Sequence, residues 1–266
     1  MGEVYVITSG KGGVGKTTVT ANLGVGLALR GAKVVTVDAD IGLRNLDVVL
    51  GLENRIVFNI VDVVEGSCRL EQALVRDKRL ENLFLLPAAQ TRTKEAITSE
   101  QMLEVCSKLR KIFDYVLIDS PAGIETGFRN AAIGADKAIV VTTPEVSAVR
   151  DADRIIGLLE AMGKGVPQLI INRIRLDMVE KGDMLSVRDV LDILAVPLLG
   201  IIPDDEEVIV ATNKGEPVIF RDDSDASRAF KNIVARLQGE DVPIIELSPR
   251  KNTGFWSKLR QLFGGR

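Results

Sequence analysis

Nine residues near the start of the chain limit its fold more than any other feature: Gly10-Lys11-Gly12-Gly13-Val14-Gly15-Lys16-Thr17-Thr18. They match the phosphate-loop pattern G-x-x-x-x-G-K-[ST], which works only between a strand and the start of a helix. Both neighbours are present. Val4–Thr8 is a β-rich apolar run, and 17–30 reads as a helix stopped by Gly31. The glycines let the backbone curl so that N–H groups converge on phosphate oxygens. The start of the helix adds partial positive charge. Lys16 is placed to reach the β- and γ-phosphates, and the Thr17 hydroxyl to bind Mg²⁺. A plain glycine-rich turn with surface lysines would need neither the strand before it nor the capped helix after it. Gly10, Gly12, Gly13, Val14, Gly15, Lys16, Thr17 and Thr18 are therefore expected to cradle ATP, with Lys16 also catalytic.

The rest of the chain supports an α/β fold. Short β-rich runs at 4–8, 33–37, 83–86, 115–118, 137–142, 168–171 and 198–202 alternate with helical patterns at 17–30, 99–112, 147–162, 186–194 and 225–237. Continuous apolar strands fit a sheet buried on both faces. The alternation predicts a doubly wound, mostly parallel sheet with helices on both faces. Ser99, Ser147, Ser186 and Asp225 are read as helix N-caps. The packed pattern fades near Gly239, so 1–239 is expected to be the folded domain and 240–253, with Pro243 and Pro249, a linker.

Two acidic signals lie at strand ends. Asp38 and Asp40 follow the second strand, facing the ligand crevice of such a sheet. At that position they suit positioning a water or supporting Mg²⁺ from its outer shell. Tyr115–Ile118 followed by Asp119 has the form of a Walker B strand, which makes Asp119 a Mg²⁺ ligand, directly or through water. Gly123 is then placed to offer its N–H to the γ-phosphate, with 124–127 as a segment that senses it. Pro203 and Asp204 follow a further strand end and are candidates for contact with the base.

Composition removes several classes. The chain has no histidine, which excludes histidine bases, histidine triads and histidine metal ligands. Cys68 and Cys106 form no C-x-x-C pair and read as buried thiols. The net charge of −3 does not enforce a basic face for holding phosphate backbones, and leaves room only for a local basic patch. No apolar stretch has the length of a membrane span, and the apolar run at the N-terminus is too short for a signal peptide.

The tail carries a different pattern. With about 100° per residue, Phe255, Trp256, Leu259, Leu262 and Phe263 fall within about 120° of one face. Lys258 and Arg260 flank that face, while Ser257 and Gln261 lie opposite. A basic amphipathic helix with bulky aromatics at 254–266 suits an anionic lipid interface. The bland alternative is a terminal helix packed on the core.

The string KGGVGKTT resembles the deviant Walker A ATPases of the ParA/MinD family, and the resemblance extends over essentially the whole chain. The segments DADIGLRNLD, LPAAQTR, DSPAGIETG, TPEVSAVRDADR and GDMLSVRDVLDIL resemble those members that place the division septum. The resemblance implies that Lys11 contacts phosphate in trans across an ATP-bound homodimer. It gives Asp40 the role of orienting the attacking water, with Asp38 supporting the metal and the loop, and it groups Asn45 with the catalytic set. It makes Asn172 a contact to the base. It further implies a division inhibitor of the MinC type and a topological regulator as partners, and an ATP-dependent peripheral location at the inner face of the cell membrane. Two other roles share much of this pattern: a flagellar-placement ATPase, and a partitioning ATPase that binds DNA. ATP and Mg²⁺ are the expected cofactors in every case.

Overall fold

The computed structural model describes residues 1–92 and 96–245. The amphipathic pattern at 254–266 and most of the expected linker lie outside the described residues.

Eight strands form one sheet among the described residues: β1 (Glu3–Thr8), β2 (Val34–Asp38), β3 (Val75–Arg76), β4 (Leu83–Leu86), β5 (Tyr115–Asp119), β6 (Lys137–Thr142), β7 (Gln168–Ile174) and β8 (Leu198–Pro203). Their spatial order is β3-β4-β2-β5-β1-β6-β7-β8. All pairs are parallel except β3 with β4. Chain direction across the sheet reverses beside β1. The strands β2 and β4 lie to one side, whereas β6, β7 and β8 lie to the other. A reversal of this kind leaves a crevice at the carboxyl ends of the central strands.

Alternate residues of each strand feed two cores. Val4, Val6, Val35, Val37, Val116 and Ile118 face one layer, which holds α3 (Ile60–Val64), α4 (Leu70–Ala73), α5 (Ser99–Leu109), α6 (Thr126–Ile133), α7 (Val146–Ala161) and α9 (Val187–Leu194). Tyr5, Ile7, Val34, Leu85 and Leu117 face the other, with α1 (Lys16–Leu29), α2 (Leu46–Leu50), α10 (Glu206–Asn213) and α11 (Asp225–Leu237). The short α8 (Leu176–Lys181) sits outside both cores. Two-sided burial explains why the strands read as continuous apolar runs rather than as alternating ones.

Helix α1 is buried continuously over 19–28 between the sheet and α11, so its apolar residues are not confined to one face. Two glycines make this packing close enough. A Cβ on Gly24 would lie 2.7 Å from Thr36 Cγ2, and one on Gly26 would lie 2.6 Å from Val234 Cγ2. The one falls on the sheet side and the other on the α11 side. With α1 seated so tightly, its N-terminus has a fixed position at the crevice.

Helix caps depart from the sequence reading. Ser186 does cap α9, its hydroxyl accepting from the Asp189 N–H. The cap of α5 is Thr98 rather than Ser99, and that of α11 is Ser224 rather than Asp225. Ser147 caps nothing: α7 starts after Glu145, whose side chain makes no cap bond. Each displaced reading has an acceptor one residue earlier, or a residue used by the site instead. At the other end, Arg236 donates to the carbonyls of Leu199, Val242 and Pro243, and Ile244 and Ile245 pack on the core. The first residues of the expected linker therefore lie along β8.

Candidate functional site

The phosphate loop leaves β1 at Ser9 and enters α1 at Lys16. Three of its features follow from backbone chemistry. Gly13 and Gly15 adopt φ of 79° and 99°, the left-handed region that favours glycine. Gly10 has a different reason: a Cβ there would lie 2.1 Å from the Asp151 carbonyl oxygen, so the loop runs hard against α7. Gly15 is the cap residue of α1 and brings no side chain to it. The first-turn N–H groups are thus left without a side-chain cap, as an anion site requires.

Four charged side chains converge here. Asp38 and Asp119 end β2 and β5 as directly paired residues, and both are almost fully buried. Burial raises the carboxyl of Asp38, and the neighbouring charge of Asp119 raises it further. Burial likewise raises Asp119, against hydrogen bonds from Thr17 and Thr20 and the charge of Lys16. Lys16 is 8% exposed. Burial lowers its ammonium pKa, while Asp119 and Asp40 pull it back up. Asp38 also shapes the next loop: its oxygens accept from the N–H groups of Asp40 (3.0 Å) and Leu46 (3.2 Å).

This donor set fits Mg²⁺. The Thr17 hydroxyl and the carboxylates of Asp119 and Asp38 are hard oxygen ligands. Two adjacent buried carboxylates are also an arrangement that a divalent cation relieves. Thr17 and Asp119 are the residues that would hold the ion, with Asp38 behind them.

The pair has a consequence for stability. Asp38 moves from 3.8 to about 8 and Asp119 from 3.8 to about 6 in the folded chain. The folded state therefore keeps protons that the unfolded state has released. This pair's contribution to stability without Mg²⁺ and nucleotide is greatest at acid pH and is lost as pH rises from about 4 to about 8. Thermal unfolding across that range should show this decline, and Mg²⁺ with ADP should flatten it. A nucleotide-free chain whose Tm rose steadily from pH 5 to pH 8 would contradict it.

The remaining expected site residues are distributed as follows. Lys11 does not enter its own chain's site: its Nζ lies 3.3 Å from Glu145 Oε2 and 3.2 Å from Ser147 Oγ, half-exposed at the start of α7. The Gly123 N–H donates to the Ser9 carbonyl at 3.1 Å, so in this conformation it is committed to the phosphate loop itself. The Asn172 amide donates to the Val14 carbonyl at 2.8 Å, bracing the loop from β7. Asn45 occupies the cap position of α2 but makes no cap bond with its side chain. Thr126 and Gly127, expected within a sensing segment, begin α6. Beside the loop opens a cavity of about 890 Å³ whose walls include Gly15, Thr18, Asn172, Arg173, Pro203 and Asp204. That is the size of a small-molecule site, and it brings the residues expected near the base to one place.

Sequence reasoning missed Glu145 and Ser147 as holders of Lys11, because Glu145 lies 134 residues later in the chain. It also missed Thr20, whose hydroxyl lies 3.2 Å from Asp119 Oδ1 and which sits one helical turn beyond Lys16.

Fold and site together define a P-loop nucleotide-binding protein. The family model described as "CobQ/CobB/MinD/ParA nucleotide binding domain" matches residues 5–218. The septum site-determining protein MinD of Synechocystis is 56% identical over 266 residues, covering all of both chains. Among solved structures, the MinC:MinD cell division protein complex of Aquifex aeolicus gives a TM-score of 0.87 at 51% identity, covering 92% of this chain and 98% of that one. MinD of Pyrococcus horikoshii complexed with Mg-ADP gives 0.82 at 32% identity, covering 90% and 97%. The chain belongs to the MinD family of septum site-determining proteins.

Proposed function

We propose that this chain is a Mg²⁺-dependent ATPase that dimerises around ATP and binds anionic membrane through residues 254–266. There it recruits a MinC-type division inhibitor and so places the septum. The observation that carries this reading is the disposition of two lysines. Lys16 is buried against the acidic pair, where it serves its own chain's phosphates. Lys11 is turned outward, on a surface that a second copy can meet. Bound Mg²⁺ would neutralise charge on the β- and γ-phosphates. Lys16 and the loop N–H groups would hold those phosphates, and Asp40 would orient the attacking water. Lys11 would leave Glu145 and Ser147 to contact the partner's nucleotide, acting much as an arginine finger does.

The membrane step follows from energetics. Burying each large apolar side chain is worth about 1.5–3 kcal/mol at most, and ordering so short a helix offsets much of that. One tail binds weakly. Two tails on one dimer gain roughly 10²–10⁴-fold through effective concentration. Among the described residues no helix is long and apolar enough to cross a membrane. The full-length likeness to septum site-determining proteins, one of them solved as a MinC:MinD complex, favours this reading over flagellar placement or DNA partitioning.

Replacing Lys11 by Ala should leave the fold and the binding of nucleotide to one chain nearly intact, since the side chain makes only exposed contacts. It should abolish the ATP-dependent doubling of mass seen by light scattering. A Lys11→Ala chain that still doubled its mass with ATP would remove the trans role.

A further inference from the structure

The loop between β2 and α2 contains two of the expected catalytic residues, Asp40 and Asn45. Between them stands Arg44, one of three non-glycine residues with positive φ among the described residues, at 42°. Arginine gains nothing locally from that conformation and is strained in it. Something must hold it there.

The restraints are visible. Arg44 Nε lies 2.8 Å from Asp47 Oδ2, and the Asp47 side chain is 1% exposed. With its amide oxygen turned to the guanidinium, Gln90 accepts from Arg44 Nη2 at 3.0 Å and from Nε at 3.3 Å. The loop is also closed on itself and docked. The Arg44 and Leu43 N–H groups both donate to the Asp40 carbonyl at 3.2 Å, and the Gly42 N–H donates to Ala89 at 2.8 Å. The same guanidinium thus ties the start of α2, through Asp47, to the segment after β4, through Gln90. Asn45 lies, with Leu46, between the anchored Arg44 and Asp47, and its own side chain is not used in capping.

We infer that Arg44, Asp47 and Gln90 form a clasp that positions Asn45 and Asp40 for hydrolysis. None of the three need touch nucleotide; they are positioning residues, and the inference rests on the ATPase reading above. Placement of this kind acts on kcat more than on nucleotide affinity, because a small displacement of a catalytic group costs rate while the phosphate loop is unaltered. A shared clasp also makes the losses non-additive: once one partner is gone, removing the other changes little.

The test uses the full chain with Mg²⁺ and ATP. Hydrolysis is measured in parallel with the affinity for a fluorescent, slowly hydrolysed ATP analogue. The chains compared are the unaltered one, Arg44→Ala, Asp47→Asn, both changes together, Arg44→Lys and Gln90→Met. We expect each of the first two substitutions to lower kcat by about tenfold or more, with KM and analogue affinity within about threefold. The double variant should be no slower than the slower single one, and Arg44→Lys should recover part of the rate. A folded Arg44→Ala or Asp47→Asn chain with unchanged kcat would overturn the clasp, as would losses that simply multiply. Should Arg44→Ala fail to fold, Gln90→Met decides. It removes only the amide acceptor and should lower kcat by about threefold or more; an unchanged rate would overturn the clasp. An unaltered chain that never hydrolyses ATP would instead overturn the ATPase reading, and the clasp with it.

Discussion

Replacing Lys16 by Met should lower ATP turnover by at least about 10²-fold and weaken nucleotide binding, the loss expected when a charge aimed at the transferring phosphate is removed. The fold should survive, because Met fills the volume of the buried stem. Its Tm relative to that of the unaltered chain should fall as pH rises. Lys16 holds down the proton affinity of Asp119. Without it the folded pair binds protons still more strongly, so the deficit relative to the unaltered chain opens above about pH 6, where Asp119 ionises in the unaltered fold but not in the variant's. Thermal unfolding at pH 5 and pH 8, with turnover on the same samples, measures both effects. Equal destabilisation at the two pH values would show that Lys16 and the pair are not coupled.

Replacing Gly10 by Ala should cost roughly 2–4 kcal/mol of stability, or a Tm lower by about 5–10 °C, and should abolish nucleotide binding. The added methyl would lie 2.1 Å from the Asp151 carbonyl oxygen and 2.3 Å from its carbonyl carbon. Backbone, unlike a flexible side-chain end, cannot step aside. Either the phosphate loop lifts away or α7 shifts, and α7 begins at the residues that hold Lys11. Gly12 is the built-in control. A Cβ there would meet only Ala122 Cβ at 4.0 Å, so Gly12→Ala should fold as the unaltered chain does. Any loss it shows would belong to nucleotide binding. Similar Tm values for the two variants would mean that the Gly10 contact does not constrain the loop.

Much of this was readable beforehand, for identifiable reasons. Strands such as Leu83–Leu86 and Lys137–Thr142 have neighbours on both sides, are largely buried and are unambiguous as apolar runs. The phosphate loop is legible because its chemistry is local: the glycines, Lys16 and Thr17 lie within eight residues of one another. Short elements were not legible. Helices α2 and α3 have five residues each, fewer than two turns, so no periodicity can announce them. Strand β3 has two residues and exists only through pairing with β4. Contacts spanning long sequence separations were equally hidden. Lys11 with Glu145 and Arg44 with Gln90 depend on how the layers stack, and no local pattern encodes them. The Arg44–Asp47 pair was hidden as well, because Arg44 lies outside α2 with a positive φ, where helical i,i+3 spacing does not apply.

The central claim is that bound ATP switches the chain onto membrane. Co-sedimentation with anionic liposomes tests it most directly, comparing ATP with ADP, and setting the full chain beside Lys11→Ala and a chain ending at Asn252. The full chain should pellet with ATP and remain in the supernatant with ADP, and both altered chains should stay in the supernatant with either nucleotide. Equal pelleting with ATP and ADP, or pelleting of the Lys11→Ala chain to the same extent as the unaltered one, would contradict it.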